Sequence, residues 1–240
     1  MKIINRENFD KFTYSNAELI NGKPKALVFE FHGLGDGNAM IKEHPKLGRF
    51  FAEHNMVYAI PYYNPWGWMN SKSVSIIDEI ADAIFDFFGV ELPIISTGLS
   101  MGGYGALTFC MKSKHKIKAC TALCPVCDLA YHYTEREDTP RTIYDAHRDG
   151  WEASGIEDFE KYLQSCSPLQ CLSDMPKIPY MIIATTADEE VDYKKHSELF
   201  AVKAKGLGYD ITYLVIPNRA HCDMSADAVE QYKAYIISNA

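Results

Sequence analysis

The chain has 240 residues, 47% of them hydrophobic and 23% charged, and a formal net charge of −8. These proportions exclude a disordered or collagen-like chain, and the length suffices to bury a core without disulfide or metal staples. No long basic run points to nucleic acid, and no apolar stretch reaches the roughly 18 residues of a membrane span. Asn5, Arg6, Glu7 and Asp10 interrupt the opening segment, which does not read as a secretory signal.

Taken along the chain, strand and helix patterns alternate with no repeat or linker between them. One domain over residues 1–240 is expected, with a mostly parallel sheet covered by helices on both faces. The first strong strand is Lys25 to Phe31, followed by the glycine-rich His32-Gly33-Leu34-Gly35-Asp36-Gly37. Met56 to Ile60 is the next, stopped by Pro61. Ser75 to Phe88 carries a broad apolar helical face, with Ser75 as the expected cap and Gly89 as the stop. Leu92 to Thr97 reads as a strand, Met101 to Ser113 as a helix and Ile117 to Leu123 as a strand.

The rhythm breaks between about 129 and 174. This charged stretch shows one helical pattern, Ile156 to Gln164, behind a Ser154-x-x-Glu157 capping signal, and its length suggests a lid. The alternation then resumes with strand Ile178 to Thr185, helix Tyr193 to Lys205, strand Ile211 to Ile216 and helix Ala226 to Ile237.

Seven cysteines form no framework. The single C-x-x-C, Cys124 to Cys127, lacks a second pair or histidines at finger spacing, so buried thiols are expected rather than zinc. Free thiols suit a reducing, cytoplasmic setting. No metal or organic cofactor is implied.

The chemistry concentrates at strand ends. Gly98-Leu99-Ser100-Met101-Gly102 matches G-x-S-x-G between an apolar strand and a helix, the position of a strained turn that exposes a nucleophile. A serine needs a base oriented by a carboxylate, and in this motif the acid and then the histidine follow the serine in sequence. Asp188 follows the strand ending at Thr185, and His221 follows the last strand. Asp192 remains open as the acid. The oxyanion requires backbone donors, expected from the amides of Met101 and Leu34, with Gly35 the alternative to Leu34. An imidazole base predicts a rate rising through roughly pH 6–7.

Tyr62-Tyr63-Asn64-Pro65-Trp66-Gly67-Trp68 follows the second strand on the side where the site should open. Tyr62, Tyr63, Trp66 and Trp68 are candidates to stack on a sugar or phenolic ring, or else to pack beneath the insertion. Within the insertion, Tyr131, His132, Tyr133, Arg136, Arg141, His147, Arg148 and Trp151 either line the pocket or form a solvated face.

These residues carry a resemblance. From about Lys25 onward the chain resembles the α/β-hydrolase superfamily. His32-Gly33-Leu34-Gly35-Asp36 is similar to the oxyanion loop of small carboxylesterases and acyl-protein thioesterases. Gly98 to Ala106 resembles the elbow of feruloyl and acetyl-xylan esterases and of S-formylglutathione hydrolases, and Ser167-Pro168-Leu169 resembles prolyl oligopeptidase-type peptidases. Many relatives carry His-Gly where Ala184-Thr185 stands. The resemblance implies an α/β-hydrolase fold and a serine esterase acting through an acyl-enzyme on a small-molecule ester with a short or aromatic acyl group. A peptidase and a thioesterase are the alternatives within enzymes, and a non-catalytic binding module is the alternative outside them. No nucleic-acid or membrane partner is expected.

Overall fold

The apolar runs of the sequence become the parallel strands of one twisted sheet. The computed structural model describes residues 3–36 and 41–240. Its parallel strands are β2 (Leu27–Phe31), β3 (Val57–Pro61), β4 (Ile94–Leu99), β5 (Ile117–Leu123), β6 (Tyr180–Thr185) and β7 (Ile211–Ile216). A three-residue strand, β1 (Thr13–Ser15), adds antiparallel to β3, giving the order β1-β3-β2-β4-β5-β6-β7.

Side chains alternate across a strand, so β2 feeds two cores. Leu27, Phe29 and Phe31 enter one, and Val28 enters the other. Covering both faces are α1 (Lys46–Glu53), α2 (Ser71–Phe88), α3 (Met101–Lys112), α7 (Leu199–Gly206) and α8 (Ala226–Ser238). Parallel sheets require this double cover, and the result is the α/β-hydrolase fold.

Local chemistry moves several expected boundaries. The cap of α2 is Asn70, whose side chain accepts from the Ser73 amide, so the helix begins four residues before Ser75. Gly89 ends it in the left-handed conformation as expected. A π-helical turn, Lys194–Glu198, opens α7 in place of one regular helix from Tyr193. The α1 helix and β1 were not read from the sequence.

Between β5 and β6 the chain builds three helices where one was expected. These are α4 (Leu129–Glu135), α5 (Pro140–Ser154) and α6 (Phe159–Cys166). Ser154 does not cap a helix: Gly155, in left-handed backbone, ends α5, and Asp158 caps α6 through the Lys161 amide. Leu129, Ile143 and Leu163, one from each helix, are wholly buried in the main core. Ser167 clips the base of this layer: its buried hydroxyl accepts from the Leu129 amide and donates to the Leu163 carbonyl.

Candidate active site

The glycines around Ser100 let β4 turn abruptly into α3. A side chain at Gly98 would meet the Gly102 carbonyl oxygen at 2.1 Å, and one at Gly102 would meet that of Phe31 at 2.0 Å. Ser100 itself sits at φ 56°, ψ −123°, a conformation costly for a non-glycine residue. Its amide donates to the Leu123 carbonyl on the neighbouring strand at 2.9 Å, which holds the turn in place.

The acid and base come from the loops after β6 and β7. His221 Nδ1 and Asp188 Oδ2 are 2.7 Å apart. The Asp188 carboxylate is fully buried, and its Oδ1 accepts from the amides of Glu190 and Val191, both at 2.9 Å. Burial alone would raise its pKa, but hydrogen bonds from His221 and these amides hold it below the usual carboxylate range. Asp192 turns elsewhere, its Oδ1 accepting from the Lys194 amide.

With Nδ1 committed to Asp188, Nε2 is the imidazole atom left for a proton from serine. It has no hydrogen-bond partner among the described residues, and His221 lines the same cleft as Ser100. Burial would lower the His221 pKa, but the hydrogen bond to Asp188, with the Cys124 thiol close by, raises it to about 9. The pH 6–7 expectation rests on an ordinary imidazole, since the spacing of sequence motifs carries no information on how strongly the buried carboxylate holds the imidazolium.

For the oxyanion, Met101 is the first residue of α3, so its amide has no intrahelical acceptor. Neither this amide nor that of Leu34 donates to an acceptor among the described residues. Gly35 is removed as an alternative, since its amide donates to the Pro65 carbonyl at 2.9 Å. Of the glycine-rich loop, Gly37 lies outside the described residues.

The cleft encloses about 290 Å³. Gly33, Leu34, Asp36, Trp68 and Leu99 line it with Ser100 and His221, and so do His132, Arg136, Asp138, Thr139, Glu190 and Val191. Of the four aromatic candidates, only Trp68 lines it. Trp68 is 1% exposed, and its Nε1 donates to Thr142 Oγ1 at 3.0 Å, so it is a rigid wall rather than an open stacking platform. Tyr63 is buried and stacks on His32, with ring centroids 4.1 Å apart. The Tyr62 hydroxyl accepts from the Ile41 amide, away from the cleft. Trp66 is 45% exposed and stands beside Gly35. These three are therefore corrected to supporting and surface roles.

Among the insertion candidates, His132 and Arg136 line the cleft. His147 is buried and borders a separate cavity of about 480 Å³ between α2, α3, α5 and α6, which contains neither Ser100 nor His221. The sequence reading missed Glu135 and His196. His132 Nδ1 and His196 Nε2 both meet Glu135 Oε2, at 2.9 and 3.1 Å, and His196 Nδ1 accepts from the Cys127 and Asp128 amides. Glu135 lies three positions after His132 on one helix face, a spacing that signals such a pair.

All seven cysteines are free thiols. Two groups bring possible metal-ligating atoms within 4.8 Å of one another: Cys124, His221 and Cys222, and His132, Glu135 and His196. In the second, the shared Glu135 oxygen is already taken up by both imidazoles. No helix among the described residues is long and apolar enough to cross a membrane.

The chain is similar to solved structures at identities that show the fold alone. Esterase PE8 aligns at 18% identity and a TM-score of 0.61, covering 92% of this chain and 95% of its own. Esterase 2 of Thermogutta terrifontis aligns at 17% and 0.64, covering 94% of this chain and 86% of its own. A puromycin-hydrolyzing peptidase of Mycobacterium tuberculosis aligns at 19% and 0.71 over 91% of this chain, which spans only 34% of that peptidase. No curated protein matches the sequence. The model of the prolyl oligopeptidase family matches residues 87–237, a stretch that contains Ser100, Asp188 and His221. A match over more than half the sequence, on this fold, makes the chain a member of the prolyl oligopeptidase family, a serine hydrolase.

Proposed function

We propose that the protein hydrolyses a carboxylic ester of a short or compact aromatic acyl group through an acyl-enzyme at Ser100. The observation that carries this reading is the shared cleft: Ser100 on its strained turn lies beside His221, which is held through Nδ1 by a buried carboxylate. His221 Nε2 takes the Ser100 proton as the oxygen attacks the acyl carbon, and the Leu34 and Met101 amides receive the oxyanion. The protonated imidazole then returns the proton to the leaving alcohol. Water repeats the sequence on the acyl-enzyme, releasing the acid and regenerating Ser100.

A cleft of about 290 Å³ walled by Trp68 and Val191 suits a compact acyl group better than a long chain. The second reading is a peptidase, favoured by the family match itself. The test is kcat/KM on p-nitrophenyl esters from acetate to laurate beside aminoacyl p-nitroanilides. Ester turnover should exceed anilide turnover and fall beyond about four to six carbons, since each further methylene gains about 0.8 kcal/mol only where a pocket buries it. Faster cleavage of the anilides would replace the ester reading with the peptidase one. A steady rise to laurate would point to a long-chain lipase or thioesterase.

A further inference from the structure

We propose that His132, on α4 and lining the same cleft as Ser100, is an acceptor subsite for a hydroxyl group of the substrate. This rests on the esterase reading above. His132 is 3% exposed yet lines the cleft. Its Nδ1 donates to Glu135 Oε2 at 2.9 Å, because an ionised carboxylate can only accept. Glu135 is ionised, held well below the usual range by hydrogen bonds from His132 and His196 that outweigh its burial. The proton is therefore on Nδ1, and Nε2 keeps its lone pair.

That lone pair is unspent. Nε2 has no hydrogen-bond partner among the described residues, and the His132 ring lines the cleft. Burial also lowers the His132 pKa, assisted by His196 and Arg136, which keeps the ring neutral near pH 7. The support behind it is built: Glu135 Oε1 accepts from the Asp192 amide, Oε2 from both rings, and His196 Nδ1 from two further amides. Ring position and tautomer are thus fixed from the interior side before any substrate arrives.

The ligand chemistry follows from the surroundings. A neutral acceptor takes an O–H or N–H donor. Arg136 also lines the cleft, bound to Asp138 through Nε and Nη2 and to Glu190 through Nη1. Arg136 is neutralised by these two carboxylates, and His132 offers one uncharged lone pair, which a single hydroxyl satisfies. The remaining acceptor capacity of the Asp138 and Glu190 carboxylates suits a group with several hydroxyls, such as a polyol or sugar.

The experiment compares matched esters: glyceryl with propyl butyrate, and propyl 3-hydroxybutyrate with propyl butyrate, with dimethylaminoethyl butyrate as the cationic arm. Wild-type protein should favour the hydroxylated member of at least one pair in kcat/KM by about two- to tenfold, the yield of one hydrogen bond. H132F keeps a ring but removes the acceptor, and should erase that preference. H132Q, which retains a carbonyl acceptor, should restore part of it. Labelling of Ser100 by a fluorophosphonate probe and turnover of p-nitrophenyl acetate show whether each variant is folded and active. If wild type fails these two checks, the esterase reading itself is wrong. If it passes them but shows no hydroxyl preference, or H132F keeps the preference in full, the subsite assignment is overturned. A larger preference for the cationic ester, lost in H132F, would overturn it in favour of an ammonium site.

Discussion

Replacing Asp188 with asparagine tests how the base is held. The carboxylate is fully buried, with Oδ1 accepting from the Glu190 and Val191 amides and Oδ2 facing His221 Nδ1 at 2.7 Å. In Asp188→Asn the side-chain oxygen satisfies the two loop amides, which leaves the Nδ2–H₂ group facing the ring. Two donors then meet, and the imidazole escapes by moving its proton to Nε2, where it blocks acceptance from Ser100. The expected loss is about 10³- to 10⁴-fold in kcat, or about 4 to 5.5 kcal/mol of barrier. Stopped assays with p-nitrophenyl acetate at constant pH read it directly, with circular dichroism to show that the fold survives. Asp192→Asn, whose Oδ1 only accepts from the Lys194 amide, should change kcat less than about threefold by the modest worth of such a bond. A loss below tenfold in Asp188→Asn, or a greater loss in Asp192→Asn, would refute the reasoning.

Further predictions concern pH, the elbow and the aromatic loop. Because His221 must be neutral to act and Asp188 raises its pKa from 6.5 to about 9, kcat/KM should climb with pH, with a midpoint above 6.5 and up to about 9. Asp188, held below 3.8, stays ionised throughout that climb, so a limb centred at or below pH 6.5 would contradict the coupling. Gly102→Ala, whose new carbon would lie 2.0 Å from the Phe31 carbonyl oxygen, should cost about 4 kcal/mol or more in urea unfolding. Gly206→Ala, with nothing within 4 Å, should be neutral or slightly stabilising in the same measurement. Trp68→Ala should cost about 3–5 kcal/mol by opening a cavity beside the cleft. The exposed Trp66→Ala should stay within about 0.5 kcal/mol.

What the sequence revealed follows burial. β5 and β7 match their expected bounds residue for residue, because Pro125 and Pro217 follow closely and stop each run. β1 escaped notice: Thr13-Tyr14-Ser15 is too short to show alternation, and only its pairing with β3 defines it. α5 escaped for a related reason, since it fully buries just Ile143 and His147 over fifteen residues. The start of α2 was displaced because Ser71 to Ser75 reads as loop until Asn70 is seen accepting from the Ser73 amide. At the site, the order of serine, acid and histidine was legible because strand ends carry the groups. Its place after the strand favours Asp188 over Asp192, and what separates them is the pairing of Asp188 with His221, which only the fold brings together. The aromatic loop misled because the same Tyr and Trp residues suit a ligand platform or an interior wall. Backbone pairing of Gly35 with Pro65 decides for support of the oxyanion loop.

The central claim is that Ser100 is the nucleophile of this fold. A fluorophosphonate probe, followed by peptide mass spectrometry, tests it most directly. The account predicts one adduct, on Ser100, with labelling abolished in Ser100→Ala and ester turnover reduced by several orders of magnitude in the folded variant. An adduct on a different serine, or turnover preserved in Ser100→Ala, would contradict it.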